Sequence, residues 1–307
     1  MSEHTVVSPY QAAKGALITL LIILNTVWWG GLILVFAPLK LYRNEAWRKR
    51  LAVMYMSWAH NWSWDNSWLL RKSRYPEVLL EVPEGLDPQK SYLVLSNHIS
   101  MADVPVVEYA CINRIPFRKI FIKQELIWLP IVGAVCWVLD FPFMKRYSKE
   151  KLKRNPSLKG KDLETTRKSC EKLKGRPSAI LSYVEGTRFN ERKRESTRSP
   201  YRHLLKPKVG GVLTVLQYLG EELDGVVDLT LVYPDNPQPP TFWELVTERV
   251  PRVIVRMRLL PVPFQGEQET ELSDTERVRY VRRWLDGIWK EKDEFIESQI
   301  AQRAVAA

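Results

Sequence analysis

The stretch YLVLSNHISMADVP, residues 92–105, reads as a strand, a turn and the start of a helix. Residues 92–96 form a short apolar run of strand length. Asp103 suits a helix N-cap, and Pro105 suits a first helical turn. A strand that passes directly into a helix is the building unit of a parallel sheet covered by helices. The same reading sets His98, one of four histidines in the chain, at the C-terminal end of a strand. Open α/β sheets carry their sites there.

Outward from this stretch the pattern repeats. Further strand-like runs are VLLEV (78–82), KIFI (119–122), AILSYV (179–184), VVDLTLVY (226–233) and VIVRMRLL (253–260). Helical stripes lie between and after them: Leu163, Thr166, Cys170 and Leu173, then Val209, Val212, Leu216 and Leu219. A last helix opens with a Ser273–Glu276 capping box and carries Val278, Val281, Leu285 and Ile288 on one face. The expected fold class is α/β, a mixed, largely parallel sheet flanked by helices over residues 75–307.

Residues 1–74 read differently, as an N-terminal helical membrane-anchoring segment. The run Ala16–Ala37 holds no charge and would span roughly 33 Å as a helix, enough for a bilayer core. It is too long for the core of a signal peptide. Lys40, Arg43, Arg48, Lys49 and Arg50 follow it, which sets the remainder on the cytoplasmic side. The next segment, Leu51–Leu70, is rich in tryptophan but broken by His60, Asn61, Asp65 and Asn66. It reads as a helix lying in the interface, the competing reading being a buried helix pair in a soluble protein. The run LIWLPIVGAVCWVL (126–139) is too short to span, so a buried helix is expected there.

The net charge of +11 calls for an anionic partner. Nucleic acid, acidic lipid and phosphorylated metabolites all qualify. No nucleic-acid module is recognisable, and such a role leaves the apolar N-terminus unexplained. An anionic bilayer suits both features, and the basic stretch Lys145–Lys174 is either a solvated helix face or a site for anionic lipid or a phosphorylated ligand. Three cysteines without CxxC spacing argue against a disulfide framework and a zinc site, and for a reducing compartment.

Two segments carry candidate chemistry. Residues five apart lie roughly 140° apart around a helix, so His98 and Asp103 can meet only across a turn. If they do, the carboxylate holds one imidazole nitrogen and leaves the other free as a base. Otherwise Asp103 merely caps the helix and His98 satisfies a local backbone group. No GxSxG supplies a serine nucleophile, so a base here would activate a hydroxyl of the substrate. The second segment, YVEGTRFN (183–190), gathers Glu185, Gly186, Thr187 and Arg188 in a turn. An arginine in such a turn can grip phosphate through paired N–H donors; an ordinary turn with a surface arginine has the same composition.

Together these blocks resemble the glycerolipid acyltransferases that include 1-acylglycerol-3-phosphate acyltransferase. NHISMAD matches their NH-x4-D motif and EGTR its companion. Between them, Lys123–Gly133 resembles the K-x-E-L-x-x-x-P-x-x-G block and Phe143–Arg146 the F-[IV]-x-R block. The likeness runs from about residue 90 to 240. It implies that His98 deprotonates the acceptor hydroxyl, that Asp103 orients it, and that Arg146 and Arg188 hold the acceptor's phosphate. Glu185, Gly186 and Thr187 would shape the acceptor pocket, with Lys123 beside it. The implied acyl donor is acyl-CoA or acyl carrier protein, with no bound cofactor or metal, and the acceptor is a lysophospholipid. The implied location is a cell membrane, in the manner of a bacterial inner membrane, with the catalytic part on its cytoplasmic face. Val184 stands where many members have proline. With LLKPK (204–208) and YPD (233–235), this is closer to the branch containing lysocardiolipin- and lysophosphatidylinositol-type enzymes. Remodelling of another lysophospholipid such as lysophosphatidylglycerol is therefore one alternative. An inactive lipid-binding scaffold is another.

Overall fold

The computed structural model describes residues 7–42, 44–73, 76–123, 127–128, 132–144, 154, 167–168, 170–263 and 273–306. Two long helices come first, α1 (Pro9–Phe36) and α2 (Glu45–Ser73), joined through a tight turn of helix at Ala37–Leu41. Then follow β1 (Glu77–Glu81), β2 (Tyr92–Ser96), α3 (Asp103–Cys111), β3 (Arg118–Ile120), β4 (Ile122–Lys123), α4 (Val132–Val138) and β5 (Phe143–Met144). The remainder is β6 (Ala179–Tyr183), α5 (Glu191–Ser196), α6 (Val209–Leu219), β7 (Gly225–Val232), α7 (Phe242–Val246), β8 (Arg252–Leu260) and α8 (Asp274–Ala306).

Six strands form one sheet in the order β1-β8-β7-β2-β6-β3. All neighbours are parallel except β7 and β8, so the sheet is mixed and largely parallel. The register that matters pairs Ser96 with Tyr183 on one side and with Leu229 on the other. It brings the C-terminal ends of β7, β2 and β6 side by side. Helices cover both faces, which is why β2 and β7 are buried at every position. Leu93 and Leu95 pack with α6 and α8, whereas Tyr92 and Val94 pack with α3 and Leu245 of α7. The alternation is the two-residue period of a strand. On the α8 side, Lys292 is fully buried 2.7 Å from the buried Asp228 of β7, and Arg258 joins them from β8. A buried charge is tolerated only when paired in this way.

Every strand expected from the sequence is present, but KIFI is divided at Phe121. Its second half leaves the main sheet to pair with β5 in a separate two-stranded ribbon, and β5 had no signal of its own. The 126–139 run departs from the expectation of a buried helix. Its described helical part, α4, is half-buried against α1, and Trp128 is 86% exposed. Of the stripe at 163–173, Leu163 and Thr166 lie outside the described residues, while Cys170 and Leu173 are buried in the core.

The helix α2 runs unbroken across its polar residues. Asn25 of α1 donates to Asn66 Oδ1 and to the Trp62 carbonyl, both at 3.0 Å. Trp29 Nε1 donates to Asp65 Oδ2 at 2.7 Å, and Trp62 Nε1 to Thr26 Oγ1 at 3.0 Å. Asp65 and Asn66 therefore bind α2 to α1. On another side α2 buries Ser63 against an ion pair between Glu108 of α3 and Arg118 of β3. The helices of residues 9–73 thus share packing with the sheet-bearing part.

The outer side of α1 is apolar and uncovered. Leu17, Leu20, Leu21, Leu24, Trp28 and Val35 are all exposed and follow the three-and-four spacing of one helical stripe. Over residues 9–41 the segment is long and apolar enough to cross a membrane.

Candidate active site

The loop after β2 is built around Asp103. Its Oδ2 accepts the backbone N–H groups of Ile99 (2.6 Å) and Ser100 (2.9 Å), and also contacts His98 Nδ1 at 2.8 Å. Its Oδ1 accepts the hydroxyl of Tyr233 at 3.0 Å. Asp103 is fully buried, whereas the His98 side chain is 16% exposed. A carboxylate oxygen that already receives backbone donors can only accept from the imidazole. The Nδ1 position therefore carries the proton, and Nε2 keeps the lone pair. Asp103 is the first residue of α3 rather than its cap; Ala102 holds the cap position and makes no side-chain bond there. The carboxylate satisfies the turn that leads into the helix. This is the intervening turn that a pairing of His98 with Asp103 requires.

Three residues absent from the expected site hold it in place. Asn97, fully buried, exchanges two bonds with the backbone of Leu231, each 2.9 Å. It extends the β2–β7 ladder with a side chain, so the loop leaves the sheet at a fixed point. Tyr183 stacks on His98 with ring centroids 4.1 Å apart, restricting rotation of the imidazole. Tyr233 follows β7 and reaches Asp103 from the neighbouring strand end. Its phenol is held protonated, raised well above the ordinary value by burial and then by the Asp103 charge. Each stood in a quoted segment, Asn97 in NHISMAD, Tyr183 in YVEGTRFN and Tyr233 in YPD, but none had a role assigned to it. Replacing Tyr233 with phenylalanine should lower kcat about tenfold and leave KM for both substrates nearly unchanged. Loss of one hydrogen bond to a charged group is worth about 1.5–3 kcal/mol, part of it felt through the orientation of His98. Steady-state kinetics beside a thermal melt separate the two effects.

The EGTR turn sits beside this loop. The Phe189 N–H donates to the His98 carbonyl at 2.7 Å, and Gly186 N–H to the Tyr183 carbonyl at 2.8 Å. Gly186 has φ +68°, and a Cβ there would lie 2.8 Å from Lys208 Nζ. Glycine meets both demands. Glu185 is buried, and its Oε2 accepts the Leu205 N–H at 3.1 Å. Burial pushes its carboxyl up to about 8, against the pull of the Leu205 and His98 backbone amides. A carboxyl raised in the folded state binds a proton that the unfolded chain has released, so its stabilising contribution fades as pH rises from about 4.5 to about 8. The Glu185→Gln protein keeps the acceptor for Leu205 without the charge. Its Tm should fall less than that of the wild type between about pH 6 and pH 9. Equal slopes would contradict a buried, protonated Glu185.

Thr187 accepts from Lys193 Nζ at 2.8 Å, and the same ammonium donates to the Arg188 carbonyl at 2.9 Å. The Arg188 side chain is exposed, and no carboxylate pairs with it among the described residues. The structure therefore unites His98, Asp103, Glu185, Gly186, Thr187 and Arg188. Lys123 lies in β4, with its side chain outside the described residues, as is Arg146 entirely.

A family model described as Acyltransferase matches residues 77–233, more than half of the chain, beginning at β1 and ending on Tyr233. The human 1-acyl-sn-glycerol-3-phosphate acyltransferase delta is 25% identical over 189 residues, 58% of this chain and 44% of its own length. The Arabidopsis thaliana 1-acyl-sn-glycerol-3-phosphate acyltransferase 3 is 24% identical over 221 residues, 67% of this chain and 52% of its own. The chain spans about half the length of these curated relatives. Among solved structures, the 1-acyl-sn-glycerophosphate (LPA) acyltransferase PlsC of Thermotoga maritima shares the fold. Its TM-score is 0.51 at 18% identity, with 92% of this chain and 98% of that one covered.

Proposed function

This chain belongs to the acyltransferase family, and on that premise we propose that it transfers a fatty acyl group from a thioester to the free hydroxyl of 1-acylglycerol-3-phosphate. The observation that carries the proposal is the His98–Asp103 pair, with one imidazole nitrogen committed to the carboxylate and the other left as a base. Nε2 takes the proton of the acceptor hydroxyl as its oxygen attacks the thioester carbonyl. The tetrahedral intermediate collapses, the C–S bond breaks, and the proton on His98 passes to the departing thiolate. Arg188, exposed and without a carboxylate partner among the described residues, offers the acceptor phosphate two parallel N–H donors, and clamping it holds the hydroxyl at the base. Arg146 is assigned the same task. Glu185, Gly186 and Thr187 shape the turn behind them, and Lys123 borders the acceptor pocket.

The test is turnover by purified protein with labelled acyl-CoA, and separately acyl carrier protein, against a panel of lysophospholipids. Turnover with lysophosphatidic acid supports the reading. Turnover only with another lysolipid, such as lysophosphatidylglycerol, moves the enzyme to lipid remodelling. An inert wild type with every pair would leave a lipid-binding scaffold.

For the location, the packing of α1 favours one leaflet over a full crossing. A Cβ on Gly15 would lie 2.6 Å from Thr247 beyond α7. Further along, Lys40 Nζ donates to the Trp137 and Val138 carbonyls, each at 2.8 Å. A helix held against the sheet-bearing part at both ends lies along a membrane surface, with its Leu17–Val35 stripe in lipid. Single cysteines at Ser8 and Tyr42 should then react with an impermeant thiol reagent from the same side of sealed vesicles. Labelling from opposite sides would mean a crossing helix.

A further inference from the structure

A second site lies on the face of the sheet away from α1 and α2. A cavity of about 1130 Å³ opens between the 200–210 loop, the start of α6 and the outer face of α8. Lys206, Lys208, Arg282 and Lys290 line it, and among the described residues none of their side chains has an ion-pair or hydrogen-bond partner. Its carboxylates are partly engaged: Asp286 accepts from the Tyr201 hydroxyl at 3.2 Å, and Asp293 from the Arg202 and His203 N–H groups at 2.8 and 2.7 Å. The first turn of α6 has no side-chain cap, and additional atoms on Gly210 or Gly211 would meet open space. The amides there point their positive end outward.

We propose that this cavity binds the phosphates of a coenzyme A-type acyl donor. The inference rests on the acyltransferase reading. Three observations choose the donor over the acceptor. The cavity touches the reaction centre, because Lys208 lies against Gly186, next to Glu185. Arg282 and Lys290 stand about 12 Å apart along α8, and with Lys206 and Lys208 they spread positive charge over a cavity much larger than one phosphate. A molecule with phosphates at separate points uses that spread of charge, as a nucleotide thioester does and a lysophosphatidate does not. Finally, α6 and α8 cover one face of the sheet while α3 and α7, against which α2 and α1 pack, cover the other. The acceptor arrives from lipid on the α1 side, and this cavity faces water.

The experiment uses the double variant Arg282→Glu/Lys290→Glu, two exposed positions whose change spares the core. Coenzyme A binding is measured by calorimetry on full-length protein, and KM is measured for acyl-CoA and for the lysolipid. The expected result is at least about a tenfold weaker coenzyme A affinity and a matching rise in KM for acyl-CoA, with the acceptor KM unchanged. Equal coenzyme A affinity in variant and wild type, a parallel rise in both KM values, or a wild type that accepts only acyl carrier protein would each overturn the assignment. A wild type that binds coenzyme A through these residues yet transfers nothing would sink the catalytic reading and keep the cavity's.

Discussion

The Asp103→Asn protein is expected to keep its fold and lose about a thousandfold in kcat. The replacement preserves shape and one carbonyl oxygen. The amide nitrogen, however, cannot accept from the Ile99 and Ser100 amides, the His98 ring or the Tyr233 hydroxyl, all of which now donate to Asp103. With the amide oxygen turned toward the two backbone donors, its NH2 must face the Tyr233 hydroxyl, whose oxygen can then accept. The imidazole loses the charge that steadies its protonated form. Losses of this order are typical when a histidine's orienting carboxylate is neutralised. A melting temperature within a few degrees of the wild type, beside the collapsed kcat, would separate this effect from unfolding. Activity within about tenfold of the wild type would mean that Asp103 serves the turn alone.

The His98→Ala protein should lose more, up to about ten-thousandfold, since the base itself is gone. Coenzyme A affinity should be unchanged, because no cation of the proposed donor cavity is touched. The Tyr183 ring loses its stacking partner, at a cost of about 1 kcal/mol in stability. The double variant of His98 and Asp103 should be no slower than His98→Ala, because a base and its orienting group act as one unit. Multiplicative losses would instead assign Asp103 an independent role.

Much of this site was legible because its elements announce themselves locally. Residues 92–105 carry the strand, the turn and the helix start in consecutive positions, and the central runs at 92–96 and 226–233 owe their visibility to burial on both faces. What stayed hidden depends on distance along the chain. Tyr233 reaches Asp103 across 130 positions only because β2 and β7 are parallel neighbours in one register, and no local pattern encodes that pairing. Asn97 looked like part of a motif, but its bonds to Leu231 require the same neighbour. The polar residues of α2 stayed ambiguous for the reverse reason. His60, Asn61, Asp65 and Asn66 have the composition of a headgroup-facing surface, while Asp65 and Asn66 are spent on Trp29 and Asn25 of α1. Periodicity reports which face of a helix is polar and is silent on what that face meets.

These observations converge on one claim, that His98, oriented by Asp103 and Tyr233, deprotonates a lysolipid hydroxyl. It is tested most directly by following labelled acyl-CoA and lysophosphatidic acid to diacyl product and free thiol, with wild-type and His98→Ala protein side by side. The account predicts equal amounts of phosphatidic acid and thiol from the wild type and almost none from the variant. Product formation by His98→Ala at the wild-type rate would contradict it.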